Sequence, residues 1–275
     1  MTEITITQAL ATAQTLGLDR LDAQLLLLHA LGKPDNQRAW LLAHDGEELT
    51  QHSADVFRSF TLRRLAGEPL AYIVGYKEFF GLRFNVDERV LVPRPDTEAL
   101  VHWALDVLTS MASREILDLG TGSGAVAIAI AHSLNVRVTA TDFSLDALAV
   151  AAQNALQLGA DVQFIHSNWL EKVNGCYHLI VSNPPYIESS DPHLVALSYE
   201  PLTALTAGES GLDDIRCIVH AAPQHLYPGG WLLLEHGYNQ AAAVCELLAK
   251  HGFKEVQSRQ DLAGIARCSG GRCPG

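Results

Sequence analysis

From Glu115 onward the chain alternates between two patterns, and no other feature limits its fold as tightly. Five apolar runs read as strands: EILDLG, VRVTATD, VQFIH, YHLIVSN and GGWLLLEHG. Helix-like stretches fall between them at Ala125 to Ser133, Ser144 to Leu158, Leu212 to Leu226 and Asn239 to His251. Strands that run as near-continuous apolar blocks and alternate with helices pair in parallel, with helices covering both faces. The expectation is an α/β protein with a doubly wound, mostly parallel sheet.

The rest of the chain reads differently. Residues 1–75 carry helical periodicity and no strand pattern. In LDRLDAQLLLLHALG, Leu21, Leu25 and Leu28 share one face, with Asp19 as N-cap and Gly32 as stop. A second helix is expected from about Thr50 through Val56, Phe57 and Phe60 to Gly67. From Tyr72 the pattern changes, and AYIVGYKEFFGLRFNVDERVLVPRPDTE reads as a hairpin broken at Gly75 and Gly81 and ended by Pro93 and Pro95. A helix then follows near Thr97 to Leu108. The expected division is a helical domain over 1–75, a hairpin linker over 76–95 and the α/β domain over 96–275. The glycine-rich tail IARCSGGRCPG is expected to fray.

The bulk numbers matter mainly for what they exclude. A net charge of −12 over 275 residues argues against a chain that works by gripping phosphate backbones. No apolar run reaches the roughly 18 residues that span a bilayer. The start, MTEITITQALATAQTLG, lacks the basic and apolar regions of a signal peptide. The five cysteines (Cys176, Cys217, Cys245, Cys268, Cys273) form no CxxC pair and read as free thiols of a reducing compartment, hence a cytoplasmic protein. The 12 histidines make no HxH, HExxH or Cys–His cluster, so no metal site is expected. His29 and His220 sit on apolar stretches and read as core histidines. Glu235 and His236 end a strand on the side where ligands bind.

DLGTGSGAVAIA turns the first sheet strand into a helix. Gly120, Thr121, Gly122, Ser123 and Gly124 form a loop whose glycines let backbone approach a ligand. Asp142, 20 or so residues on, ends the next strand, where a carboxylate binds ribose hydroxyls. Gly120, Gly122 and Ala125 also satisfy the dinucleotide pattern, so an NAD-type cofactor is one alternative. Asp118 counts against it, because a carboxylate there repels a pyrophosphate and attracts the ammonium of a methionine moiety. S-adenosylmethionine, leaving as S-adenosylhomocysteine, fits better.

SNPPYIE ends another strand of the same sheet. Pro184 and Pro185 stop the strand and leave carbonyls without ladder partners. The Asn183 side-chain oxygen and the Pro184 carbonyl can then accept both hydrogens of one planar –NH2 group, beside the ring of Tyr186. An amide nitrogen is a poor nucleophile because its lone pair is delocalised. Two acceptors that hold its hydrogens aim the lone pair and stabilise the charge that builds on nitrogen. Asn183, Pro184 and Tyr186 are therefore the catalytic candidates, with Pro185 completing the clamp.

These motifs, together with RRLAGEPLAYIVGYKEFFGLRF, LVPRPDTEALV, SNPPYIESSDPHL, EPLTAL and LLLEHG, resemble the HemK/PrmC release-factor glutamine methyltransferases. The resemblance covers nearly the whole chain. It implies a Rossmann-like class I methyltransferase domain with a seven-stranded sheet. It implies methylation of the glutamine amide in the Gly-Gly-Gln motif of class 1 peptide chain release factors, which are then the protein partners. It also places Asn168 and Trp169 at the adenine, the first as acceptor and the second as packing surface, though the family more often has Asp at 168. Pro93 to Glu98 borders the active site, and the helical domain docks the substrate, with Leu21 to Leu31 and Arg63–Arg64 as candidate surface. The protein is expected to be a monomer without stable nucleic-acid or membrane binding. Two enzyme alternatives remain at this stage: a ribosomal-protein glutamine methyltransferase, and an adenine amino methyltransferase on DNA or RNA, which shares the N-P-P-Y clamp but needs a basic groove. A binding protein with a vestigial cofactor site has no use for Asp118, Asp142 and Asn183 together.

Overall fold

Residues 4–109, 111 and 113–274 are described in the computed structural model. Residues 1–3 of the expected helical domain and Gly275 of the tail lie outside them. The chain divides into two compact units, 1–75 and 76–275.

Among the described residues the first unit holds five α-helices: α1 (Ile6–Thr15), α2 (Arg20–Ala30), α3 (Arg38–Ala43), α4 (Gln51–Leu65) and α5 (Leu70–Val74). Local chemistry sets their starts. Thr5 and Gln8 form a reciprocal capping box on α1, Asp19 accepts from the Leu21 and Asp22 amides at α2, and Thr50 caps α4. The buried face of α2 differs from the expected stripe. Ala23, Leu26, Leu27 and Leu28 are inside, while Leu21 is exposed. The run of four leucines makes the stripe ambiguous, and packing against Ile6, Leu41 and Phe57 selects the face. Leu26 to Leu28 are thus core, each stabilising the unit by about 1.5–3 kcal/mol, and not a free surface. Arg64 pairs with Asp22 at 2.7 Å and Arg63 with Glu68. AYIV is helical and not the start of the hairpin: Leu70–Val74 forms α5, ended by Gly75 in the left-handed region.

The second unit opens with a hairpin, β1 (Tyr76–Phe79) and β2 (Leu82–Asn85). Phe80 and Gly81 both take positive φ at its tip, which suits a tight two-residue turn. The hairpin clusters with the α/β unit: the Asn85 amide donates to Asn154 Oδ1 at 2.8 Å, and Asn154 Nδ2 donates back to the Asn85 carbonyl. A 3-10 turn at Pro95–Thr97 leads into α6 (Glu98–Thr109). Then come β3 (Ile116–Leu119), α7 (Ala125–Leu134), β4 (Val138–Asp142), α8 (Leu145–Leu158), β5 (Val162–His166), β6 (Tyr177–Ser182), α9 (Asp213–Ala221), β7 (Leu226–Glu235), α10 (Ala241–Lys250), β8 (Lys254–Gln260) and β9 (Ala266–Arg272).

Seven strands form one sheet in the order β5-β4-β3-β6-β7-β9-β8. The first five are parallel, and β9 runs antiparallel to both β7 and β8. Residues 125–131 of α7 are all buried, as expected for a helix apolar on every side. The helix expected from Leu212 to Leu226 stops at Ala221. Pro223 has no N–H to continue it, and Leu226 already belongs to β7.

The tail contradicts the expectation of fraying. Residues 266–272 are the strand β9, paired on both sides, with Cys268 and Ser269 fully buried. Its glycines are there for space. A Cβ on Gly270 would lie 2.5 Å from a Leu233 methyl, 2.7 Å from the Leu232 carbonyl and 3.0 Å from the Trp103 ring. Glycine content that looks like flexibility in one dimension is close packing in three. No helix among the described residues is long and apolar enough to cross a membrane.

Candidate active site

The sheet's strand order reverses at β3, with β4 on one side and β6 on the other, and ligands bind at such a switch point beyond the carboxyl ends of the strands. Leu119 pairs with Ser182 as the last step of the β3–β6 ladder, and Ser182 Oγ donates to the Leu119 carbonyl at 2.7 Å. The glycine loop leaves after Leu119 and the clamp leaves after Ser182. Two motifs more than 60 residues apart therefore emerge side by side.

Between them lies a cavity of about 280 Å³, walled by Asp118, Gly120 to Ser123, Asp142, Asn168, Trp169, Asn183 and Pro185. Gly124, Pro184 and Tyr186 do not line it. Gly124 serves packing: it takes φ +84°, and a Cβ there would meet the Ile128 methyl at 2.7 Å and Ala151 at 3.3 Å.

Asp118 is 1% exposed. Its Oδ2 accepts from the Thr121 hydroxyl at 2.6 Å and from the Ala127 amide at 3.2 Å, tying the loop to the start of α7. Burial pushes its carboxyl up to about 7, opposed by those two bonds and reinforced by the charge of Asp142. Asp142 accepts from the Gly122 amide at 2.8 Å and the Ser144 amide at 2.9 Å, one on each oxygen. Burial raises its pKa too, against the backbone donors. Each oxygen keeps capacity for a further donor, and Asp142 lines the cavity.

Trp169 takes φ 45°, a strained conformation for a bulky side chain. Its Nε1–H donates to Asp214 Oδ1 at 3.2 Å, and its ring lies against Gly120, where a Cβ would come within 3.1 Å of it. Asn168 is exposed and donates through Nδ2 to Glu171 at 2.8 Å, which leaves its amide oxygen as the free acceptor.

Asn183 Nδ2 donates to Thr97 Oγ1 at 3.3 Å. That bond fixes which end of the amide is which and leaves Oδ1 to accept. Tyr186 anchors the other end of the clamp. Its carbonyl accepts from Gln240 Nε2 at 3.0 Å and its hydroxyl approaches Glu235 Oε1 at 3.5 Å. Desolvation, helped by the Glu235 charge, pushes the Tyr186 phenol well above its usual value, so it stays protonated.

Charge selects the ligand class. Of the arginines at the cavity, Arg89 pairs with Asp87 and Arg94 with Glu200, while the cavity also presents Asp118, Asp142 and Asp214. Walls of that sign suit a cationic sulfonium and ammonium and oppose a pyrophosphate. Thr97, Asp214 and the exposed Phe143 at the cavity rim, and Glu200 behind it as the partner of Arg94, were not legible as individual site residues. Thr97 and Glu200 sit in segments whose resemblance marks them, but Asp214 carries no sequence signal. His220, expected inside, is exposed and stacks edge-on with His251. His236 is fully buried and bonded to Ser269 and Gly237.

A five-strand parallel core with an antiparallel strand inserted next to its last member, a glycine loop and a carboxylate at the second strand end together define a class I methyltransferase. A "PrmC N-terminal domain" model matches residues 5–75 and a "Methyltransferase small domain" model residues 97–198. The release factor glutamine methyltransferase of Bordetella pertussis is 48% identical over 260 residues, covering 93% of this chain and 95% of that one. Its counterpart in Burkholderia pseudomallei is 47% identical over 269 residues, covering 94% and 93%. A solved methyltransferase structure from Pyrococcus furiosus shares the fold at a TM-score of 0.54 and 21% identity, over 78% of this chain and 98% of that one. The chain belongs to the release factor glutamine methyltransferase family.

Proposed function

We infer that this protein transfers a methyl group to the side-chain amide nitrogen of the glutamine in the Gly-Gly-Gln motif of class 1 peptide chain release factors. One observation carries the reading beyond family membership: Asn183, at the cavity wall, has its NH2 tied to Thr97 and its oxygen left as an acceptor. S-adenosylmethionine supplies the methyl group when bound. Asp142 would hold its ribose, Asp118 would face its ammonium, and Trp169 with the Asn168 oxygen would border the adenine. Asn183 Oδ1 and the Pro184 carbonyl accept hydrogen bonds from the two amide N–H groups, Tyr186 and Pro185 confine the amide plane, and the lone pair is held toward the cavity. As the nitrogen gains the methyl it releases one of its two protons to solvent and keeps the other. The fold needs no side-chain nucleophile for this.

The helical unit is the docking surface for the release factor, through exposed groups such as Leu21 and Leu42 and not through the buried Leu26 to Leu28. The protein works as a cytoplasmic monomer without stable nucleic-acid binding, in keeping with its −12 charge. The test is transfer of labelled methyl to three acceptors in parallel: an unmodified release factor, a ribosomal-protein fraction and adenine-containing DNA, with the product mapped by mass spectrometry. Label on the Gly-Gly-Gln glutamine is expected. Label confined to ribosomal protein or DNA would overturn the substrate, and none on any acceptor would overturn the activity.

A further inference from the structure

We propose that Glu235 is a positioning residue for the clamp, an acceptor at the junction of two arms, one running through Thr97 to Asn183 and the other direct to the Tyr186 hydroxyl. The proposal rests on the amide-methylation reading and concerns how Asn183 is kept in the productive orientation.

Glu235 ends β7 and is 1% exposed. Its surroundings come from four elements. Tyr186 follows β6, Asp96 and Thr97 lie on the 3-10 turn, Arg267 and Cys268 lie on β9, and His236 follows on its own chain. The Arg267 guanidinium is committed to Asp96 at 3.2 Å and Asp261 at 3.3 Å, so it acts on Glu235 only at a distance. His236 has both ring nitrogens engaged by Ser269 and Gly237. Cys268 is buried and, chiefly through that burial, its thiol stays protonated. The groups that reach the carboxylate are two hydroxyls. Tyr186 comes to 3.5 Å of Oε1, and the Thr97 hydroxyl favours the charged carboxylate. Even so, Oε2 is buried without a bond of full geometry. The Tyr186 contact is long, as hydrogen bonds of catalytic machinery often are before substrate binds. A carboxylate left so poorly satisfied inside a protein is rarely there for packing.

An acceptor-only group at this place gives the network a direction. A carboxylate cannot donate, so the Thr97 proton points to Glu235 and Thr97 Oγ must accept from Asn183 Nδ2, as observed at 3.3 Å. Asn183 Oδ1 is then the only end left for the substrate. With a donor in place of Glu235, Thr97 can turn its proton to Asn183, the amide flips, and an NH2 group faces the substrate NH2. Burial raises the Glu235 carboxyl to about 7, so protonation by mild acid has the same effect.

The test measures kcat and KM of Glu235→Gln, Thr97→Val and Thr97→Ser on an unmodified release factor, at saturating S-adenosylmethionine and across the pH range around 7. Loss of one directly acting group in a preorganised site costs about 10²–10³-fold, so a misdirected one should lower kcat by about 10–100-fold. Glu235→Gln and Thr97→Val are expected to show that loss with S-adenosylmethionine affinity little changed, and Thr97→Ser to restore most of it. Wild-type kcat is expected to fall as pH drops below about 7, and Glu235→Gln to lose that dependence. A Glu235→Gln enzyme with wild-type kcat and an unchanged pH profile overturns the proposal. If that variant fails to bind S-adenosylmethionine at all, Thr97 decides: Val equal to Ser overturns the relay, and Ser active with Val impaired supports it. Failure of the functional reading looks different, because the wild-type enzyme itself would then leave the glutamine unmethylated.

Discussion

Asp118→Asn separates what the glycine loop does for stability from what it does for the cofactor. The carboxylate takes both of its bonds on one oxygen, from Thr121 and Ala127, and an asparagine oxygen can accept both. Loop geometry should therefore survive. What changes is the charge. A carboxyl that titrates near 7 instead of 3.8 corresponds to about 4 kcal/mol between its two protonation states. The folded protein holds this proton more tightly than the unfolded chain does. Stability from this group is therefore full below about pH 4, declines as pH rises, and is gone above about 7. Glu235 and Asp142 are raised in the same direction, so the variant should lose the Asp118 share of the pH slope and keep theirs. At pH 8, Asp118→Asn should gain about 2–4 kcal/mol, or several degrees to about 10 °C in Tm for a unit of this size. Its affinity for S-adenosylmethionine should fall about 10-fold, because the ammonium loses its anion. Calorimetry at pH 5 and pH 8, with equilibrium binding at pH 8, reads both effects. A Tm at pH 8 equal to or below wild type, with the full pH slope retained, would refute the burial argument.

Three further outcomes follow from the same geometry. Asn183→Ala should lower kcat by about 10²–10³-fold while equilibrium binding of S-adenosylmethionine stays within a few-fold; near-normal turnover would sink the clamp. Asp142→Ala removes the ribose acceptors and the bond to Gly122, and isothermal titration should show affinity for S-adenosylmethionine down by about 10-fold or more, with kcat at saturation much less affected. Gly270→Ala forces a methyl against Leu233, the Leu232 carbonyl and Trp103, an overpacking that should cost about 1–3 kcal/mol in a denaturant titration; an unchanged midpoint would mean β9 is not held where it lies.

The alternation after Glu115 carried the strands of the parallel core, because buried parallel strands announce themselves as apolar runs and β5 begins and ends where VQFIH does. The same logic failed at β9. ARCSGGR has small and polar residues where a strand is expected to have β-branched ones, and the reason lies in Leu233, Trp103 and Phe253, which fill the room a side chain would need. The α2 stripe was misplaced because LLLL satisfies more than one helical face and only tertiary packing chooses. At the site, the glycine loop, Asp142 and Asn183 were legible because each belongs to a local motif. Thr97 was not, since its partner lies 86 positions away, and Trp169–Asp214 is hidden by the same separation of 45.

The pairing of Leu119 with Ser182 makes the sheet a ruler for the reaction. Neighbouring strands lie about 4.8 Å apart, and the cofactor loop and the clamp each begin one residue past that rung. The spacing between methyl and acceptor is thus insensitive to the length of the chain that joins them. Turns at Gly159 and Gly175, where a side chain would meet nothing within 4 Å, can lengthen without moving either motif. A ruler built from the central ladder also cannot be bent by partial opening of an edge. The Leu119 and Ser182 amides should be among the slowest to exchange hydrogen in the protein, and loss of activity in denaturant should coincide with global unfolding of the α/β unit, with no folded but inactive stage before it.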